Sequence, residues 1–402
     1  MADHAPGNTN SGTDTQKYSL EQVVTTALAL QLPVAVWRFP SASGANACIS
    51  FNSAIHIEQP ELENSPFGFF FCPFVVGEQP TLFIKADIVH SSETGLLTFS
   101  DDVTQTQKQE FIVALQRSQS IKQNWHLHAS ETINQQTEAG FKDAVAEAIT
   151  TINNGYMEKV VLSRTATHPL PAGFNLIAIY SLMLKNYPNG FVSLVSVPEA
   201  GTWLGASPEI LVSVDTDNVF RTVALAGTQP ATQGEPVGNA IWRQKEIEEQ
   251  GMVERYILSC FKKLRLREYT EVGPRTIVAG NLMHLRTDFS VDLTEVDFPT
   301  LGSDMLELLH PTSAVCGLPK EPALHFIKAH EGYNRSYYSG YLGPVNSPDG
   351  THLYVNLRCM QLLKDQAILY AGAGITGESD AEKEWQETQY KMQTMGKILS
   401  NF

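Results

Sequence analysis

No apolar run in the 402-residue chain approaches the roughly 18 residues that a membrane-spanning helix needs. The opening MADHAPGNTNSGTDTQ lacks the charged-then-apolar layout of an export signal, and residues 1–18 read as a disordered tail. Basic runs are missing too. Lys and Arg total 28 against 43 Asp and Glu, a formal net charge of −15, so nothing offers an electrostatic footprint for nucleic acid or an anionic membrane surface. Cysteine is sparse: Cys48, Cys72, Cys260, Cys316 and Cys359 stand singly in apolar surroundings, with no C-x-x-C and an odd total. That pattern argues against a disulfide framework and predicts reduced, buried thiols in a cytoplasmic protein. No internal repeat or low-complexity segment is present. What remains is an ordinary globular composition, 43% hydrophobic and 18% charged. An anionic small molecule would need a few placed cations or a metal.

The runs PVAVWRF, ACISF, FGFFFCPFVV, TLFIKADIV and LLTFS predict short strands between residues 20 and 100, punctuated by Gly, Pro and Ser. Helical periodicity follows near 105–122 and at 137–154. EKVVLSR then reads as a buried strand, NLIAIYSLMLKNY as a helix, and FVSLVSV, TWLGASPEILVSV and VFRTVALAGT as strands of a meander. A long helix is predicted over roughly 240–266 and another over PKEPALHFIKAHE. YYSGYLGPV and THLYVNLRCMQLL are joined across SPDG, a strong turn signal. Strands that follow one another without helices between them argue for α+β layers and against a doubly wound parallel sheet.

One motif points elsewhere. In YAGAGITGESDAEKEWQET, Gly372, Gly374 and Gly377 stand in the G-x-G-x-x-G register of a dinucleotide turn, behind the strand-like QAILYA. Only one helix follows, with no second βαβ strand, and Glu378, Asp380, Glu382, Glu384 and Glu387 would repel a pyrophosphate. A dinucleotide-dependent oxidoreductase rests on this motif alone. The last helix is expected to open with Ser379 and Glu382 in capping-box register.

Two helices carry paired carboxylates. Glu384, Glu387 and Lys391 fall at i, i+3 and i+7 on the last helix, and Glu246 and Glu249 extend the stripe of Val253, Tyr256 and Cys260 on the 240–266 helix. Periodicity leaves two readings open. One is a solvated face of ion pairs. The other is two pairs turned inward to form a hard, oxygen-rich site suited to Mg²⁺.

Taken in order, EKVVLSR, LGASPEIL, LAGT, KEIEEQ, HPTSAVCGLP, YYSGYLGPV, VNLR, AGAGI and EWQETQYKMQTM resemble the motifs of the chorismate-utilising enzymes, from about residue 130 to the C-terminus. Each is weak alone, but nine in order are specific. The resemblance implies one large α+β domain, two antiparallel sheets layered between helices. Residues 19–130 would form its N-terminal β-rich part and 131–402 its chorismate-binding catalytic region. It also implies one Mg²⁺, with Glu249 and Glu387 as direct ligands and Glu246 and Glu384 beside them. Gln250 stands where relatives often have His, at a position that is not a ligand. Tyr338 and Arg358 match residues that bind the enolpyruvyl carboxylate, for which a guanidinium offers a fork. Lys391 matches a lysine near the ring carboxylate, and backbone N–H groups of the loop around Gly372 and Gly374 would cradle a carboxylate. Lys159 matches the general base that activates water, and Glu209, after Ser207-Pro208, the general acid. Those roles require a neutral lysine and a protonated glutamate. Leu225 and Thr228 of LAGT, His284 of MHL and Ala314 of HPTSAV match pocket positions beside the ring.

Within the family, anthranilate synthases lack a lysine at the Lys159 position, and aminodeoxychorismate synthases typically carry one where Ala226 stands. The HPT-x-A-V form resembles isochorismate synthases. The resemblance thus implies Mg²⁺-dependent, reversible conversion of chorismate to isochorismate by a monomer, as relatives in this branch often are, needing no glutamine-hydrolysing subunit. A salicylate synthase, which goes on to eliminate pyruvate, is the alternative. A non-catalytic chorismate-binding relative is a third, against which Lys159 and Glu209 argue. Isochorismate feeds menaquinone, siderophore and salicylate routes, and the sequence does not choose among them.

Overall fold

The computed structural model describes residues 13–14, 16–117, 124–127, 136–231, 237–279 and 282–401. Two antiparallel sheets dominate it. An eleven-stranded sheet runs from Thr13–Asp14 through Leu97–Phe99, Ile88–Ser91, Asn46–Ile49 and Val34–Arg38. It continues through Phe191–Val197, Gly201–Ser207, Cys359–Leu362, Gln366–Ile375 and Lys159–Pro169 to Gly317–Leu318. A nine-stranded sheet begins at Thr270–Ala279, Leu282–Asp292, Val219–Pro230 and Ile210–Val214. It ends through Thr351–Val355, Tyr341–Val345, Gly68–Cys72, Leu82–Lys85 and Ile55–His56.

Strands covered on both faces lose the in-out alternation of a half-exposed strand, and FVSLVSV and GFFFC are buried at every position. The inner faces of the sheets meet at Trp37, Phe69, Phe71, Trp203 and Ile368. Helices Leu20–Ala29, Gln105–Arg117, Leu176–Asn186 and Ala381–Ser400 pack on the first sheet. Gln244–Lys263 and Leu301–Leu309 pack on the second. A fully enclosed Leu, Val or Phe contributes about 1.5–3 kcal/mol. These layers, more than local propensity, hold the sheets together. All five cysteines are free and buried. Among the described residues no helix is long and apolar enough to cross a membrane.

The structure corrects the sequence reading at several points. LEQVVTTALA, taken with its neighbours as β-rich, is the helix Leu20–Ala29. A capping box starts it: Gln22 N donates to Ser19 Oγ at 3.2 Å and Ser19 N to Gln22 Oε1 at 2.9 Å. Burial of every residue from Val23 to Leu28 blurs the amphipathic period that would have marked it. Tyr18 is buried and Thr13–Asp14 pair with Leu97 and Thr98, while residues 1–12 and 15 of the expected tail lie outside the described residues. The boundary near residue 130 lies outside them as well. TLFIKADIV is two strands, one in each sheet.

The expected meander is two antiparallel hairpins, one in each sheet. Gly201–Ser207 belongs to the first sheet and Ile210–Val214 to the second, so the chain changes sheet at Pro208-Glu209. VNLRCMQLL does the reverse, leaving the second sheet at Val355 and entering the first at Cys359. The two crossings are bonded to each other. Val355 N donates to Glu209 O at 3.0 Å, Ala206 N to Arg358 O at 3.1 Å, and Ser207 Oγ to Val355 O at 2.6 Å. Gly372 and Gly374 lie within the strand Gln366–Ile375, opposite Ser163 and Val161, and not in a turn. Without a strand-turn-helix at the glycines the dinucleotide reading fails. Asp380, not Ser379, caps the last helix: its Oδ1 accepts from Lys383 N at 3.0 Å, and Ser379 Oγ accepts from Thr376 N at 3.1 Å.

Candidate functional site

The crossings form one wall of a cavity of about 680 Å³, open mouth included, within the usual range for small-molecule sites. Glu209, Leu225, Thr228, Glu249, His284, Ala314, Tyr338, Arg358, Gly372, Gly374 and Lys391 all line it. Eleven of the fifteen residues singled out from the sequence thus converge from distant parts of the chain. Lys159 lies just behind the wall. Glu246, Glu384 and Glu387 line an adjoining groove, which Thr228 shares.

Lys159 begins the strand Lys159–Pro169 and is fully enclosed, a rare condition for lysine without a partner. Its Nζ lies 2.9 Å from Glu249 Oε1. Burial pushes the Glu249 carboxyl up, but Lys159, with Lys245 and Lys391, outweighs burial and holds it below the usual carboxylate range. The pair packs onto Gly374, where a Cβ would come 2.5 Å from Glu249 Oε1 and 3.2 Å from Lys159 Cε. Glu209 is also enclosed. Burial pushes its carboxyl up to about 7, against the opposing charges of Lys159 and Lys391. It is therefore a carboxyl that can carry a proton near neutrality.

Arg358 sits at the second crossing with φ of 49°, a conformation that costs about 1–3 kcal/mol and persists where the surroundings fix it. Its Nη2 lies 3.4 Å from His284 Nε2. Since a guanidinium only donates, Nε2 accepts, and the proton of a neutral His284 is on Nδ1, 3.0 Å from Gly227 O. Burial first, then Arg358 and Lys391, push His284 down to about 3, in keeping with a neutral ring. His284 therefore ties Arg358 to the strand carrying Leu225 and Thr228. Tyr338 stacks on Tyr370 with centroids 5.1 Å apart, and its hydroxyl would lie 3.1 Å from a Cβ at Gly372.

Lys391 Nζ donates to Gly372 O at 2.8 Å and pairs with Glu387 Oε1 at 2.7 Å. The first contact shows which way Gly372 faces. In an antiparallel strand a residue's C=O and N–H point to the same side, so the Gly372 N–H also points away from the Lys159 strand, and Gly374 two residues on does likewise. Cys359–Leu362 pairs with this edge only as far as Leu369, which leaves both N–H groups without a strand partner on the cavity side. The carboxylate cradle expected from a loop is here a strand edge.

The four carboxylates combine features of both readings drawn from periodicity. They do turn toward the site, yet three hold lysines: Glu249 with Lys159, Glu387 with Lys391, and Glu384 with Lys245. Glu246 Oε2 accepts from Arg243 N at 3.0 Å at the start of its own helix. Among the described residues no three His, Cys, Asp or Glu side chains gather closely enough to hold a metal as they stand. The donor set nonetheless suits a hard cation, being all carboxylate oxygen. Glu384 Oε2 is buried with no hydrogen-bond partner, and burial together with the charge of Glu387 pushes this carboxyl up to about 7. Lys245 was not anticipated. Its signal was present, since it precedes Glu249 by four residues and so shares its helix face.

Cations, oriented N–H groups and a protonatable carboxyl around one cavity define a pocket for a small anionic molecule. Residues 47–400 match the chorismate binding enzymes, and the chain belongs to that family. It is 29% identical over 262 residues to the vibriobactin-specific isochorismate synthase of Vibrio cholerae serotype O1, covering 63% of this chain and 65% of that protein. It is 29% identical over 299 residues to isochorismate synthase MenF of Escherichia coli K12, covering 73% and 67%. Anthranilate synthase component 1 of Streptomyces coelicolor is 30% identical over 269 residues, covering 64% and 51%. The chain thus spans just under two thirds of the length of the Vibrio relative. The solved structure of MenF, the menaquinone-specific isochorismate synthase from Escherichia coli, superposes with a TM-score of 0.76 at 22% identity, covering 97% of this chain and 95% of that one. Anthranilate synthase component I from Streptococcus pneumoniae gives 0.63 at 19%, covering 98% and 93%. At such identities the likeness is one of fold.

Proposed function

We propose that the chain is an isochorismate synthase, interconverting chorismate and isochorismate with Mg²⁺. The observation that supports this best is an enclosed lysine just behind the wall of one cavity together with Glu209 in that wall, a carboxyl pushed up to about 7 by burial. In this reading Lys159, having first given up its own proton, takes one from water as the water oxygen bonds to C2 of chorismate. The ring double bonds shift, the C4–O bond breaks, and Glu209 gives its proton to the departing hydroxyl, which leaves as water. Arg358, steadied by His284, and Tyr338 hold the enolpyruvyl carboxylate. The Gly372 and Gly374 N–H groups and Lys391 hold the ring carboxylate, with Leu225, Thr228 and Ala314 against the ring.

Glu249 and Glu387 would hold Mg²⁺, with Glu246 and Glu384 beside them. Bound there, the ion supplies positive charge for the ring carboxylate. We expect the protein to work in the cytoplasm, as a monomer and without a glutamine-hydrolysing subunit.

Chromatography of products from chorismate, with Mg²⁺ and with EDTA, tests the proposal. Metal-dependent isochorismate without pyruvate is the expected outcome. Salicylate and pyruvate in equal amounts would replace it with a salicylate synthase, and no product in either tube would refute the activity.

A further inference from the structure

Gln250 follows Glu249 on the helix Gln244–Lys263 and is almost completely enclosed. It faces the strand Val219–Pro230 where that strand has lost one neighbour. Ala224, Leu225 and Ala226 lie opposite Thr287, Arg286 and Leu285 on one side. On the other side Ile210–Val214 pairs only at Phe220 and Arg221. Both the Ala224 carbonyl and the Ala226 N–H lie under this helix, and buried backbone groups need partners. Gln250 supplies both. Its Oε1 accepts from Ala226 N at 2.9 Å, and its Nε2 donates toward Ala224 O at 3.2 Å. One side-chain amide thus ties two backbone groups of this strand to the helix.

The amide is held in that orientation. Nε2 also lies 3.1 Å from Glu254 Oε1 and 3.2 Å from Thr287 Oγ1, and the Thr287 hydroxyl donates to Glu254. Both additional neighbours accept at Nε2, so a flipped amide would set its oxygen against a carboxylate. Just beyond Ala226, Gly227 adopts φ of +66° and brings the strand against the same helix, where an added Cβ would lie 3.1 Å from Glu246 Cβ. The helix turn with Glu246 and Glu249 and the strand segment Leu225–Thr228 are therefore joined by two hydrogen bonds and a close packing contact.

We propose that Gln250 is a positioning residue that sets Glu249 in register with the ring-facing strand Leu225–Thr228. The inference rests on the reading of those residues as the wall of a chorismate site. Its test combines amide hydrogen exchange at Ala226 with steady-state kinetics on chorismate in Gln250→Leu and in Thr287→Val. The second variant leaves Gln250 present but removes the hydroxyl that orients it. In Gln250→Leu the Ala226 amide is expected to exchange at least about tenfold faster, and KM for chorismate to rise about tenfold with kcat changed less than threefold, as loss of a buried hydrogen bond implies. Thr287→Val should move both in the same direction by less, and it carries the test if Gln250→Leu does not fold. Unchanged Ala226 protection in the folded variants, or lost protection with wild-type KM, would overturn the proposal. The exchange is read without turnover, so failure of the clamp and failure of the proposed activity are told apart.

Discussion

The Lys159 ammonium, just behind the cavity wall, meets the Glu249 carboxylate at 2.9 Å beside Gly374. A base must reach water, and no hydrogen bond of good geometry satisfies Lys159 Nζ. Lys159→Met keeps most of the apolar stem and removes the amine. It is expected to lower kcat by about 10²–10⁴-fold, the range for loss of a general base, while chorismate binding by calorimetry changes little. It should also cost about 3 kcal/mol in urea unfolding at pH 7, because Glu249 loses its nearest cation. Wild-type turnover in this variant would sink the base assignment.

Gly374 is in an ordinary strand conformation, so space alone decides what replaces it. A Cβ there would meet Glu249 Oε1 at 2.5 Å and Lys159 Cε at 3.2 Å, forcing the pair out of place. Gly374→Ala is expected to reduce kcat/KM at least about 10²-fold with circular dichroism unchanged. Gly396→Ala is the control. The nearest atom to its added Cβ is Leu369 Cδ2 at 3.8 Å, and helix propensity favours Ala by about 1 kcal/mol, so activity should persist and Tm rise slightly.

Glu209 gives a pH signature. Its carboxyl is pushed up to about 7, so the folded state holds this proton more tightly than the unfolded chain does. The associated stability is fully present below the unfolded value near 4.5 and is lost as pH rises through about 7. Glu209→Gln cannot ionise. It should therefore gain stability relative to wild type on going from pH 5 to pH 8, by on the order of 3 kcal/mol, while being inactive. Parallel urea titrations at the two pH values with no relative gain would show that Glu209 ionises freely.

Motif residues were legible in the sequence because chemistry marks them: KEIEEQ, SPE and EWQETQYK name carboxylates whose spacing fixes a helix face or a turn. Sheet membership was not. TWLGASPEILVSV and THLYVNLRCMQLL each read as strand from end to end, and period-2 alternation carries no mark of which sheet a strand joins. Yet the changes of sheet at Glu209 and Arg358 build the wall of the site. The glycines misled for a related reason, since G-x-G reads the same whether glycine serves a tight turn or, as at Gly372 and Gly374, the close approach of side chains to a strand. Helix Leu20–Ala29 was hidden by burial on nearly every side.

Glu387 and Lys391 allow metal and substrate roles to be separated on one helix turn. Lys391 Nζ bridges Glu387 Oε1 at 2.7 Å and Gly372 O at 2.8 Å, so deleting either residue disturbs the other. If Glu387 holds Mg²⁺, Glu387→Gln should raise the Mg²⁺ concentration giving half-maximal activity at least about tenfold, a range typical of lost metal-site partners. Activity should then recover at high Mg²⁺ with KM for chorismate near wild type. Lys391→Met should do the opposite, raising KM at saturating Mg²⁺ by about tenfold or more while the Mg²⁺ requirement stays put. Crossed titrations of the two ligands in each variant read both constants. A shared shift in both variants would mean that the Glu387–Lys391 pair only shapes the wall, because a purely structural disturbance has no reason to distinguish the ion from the carboxylate it accompanies.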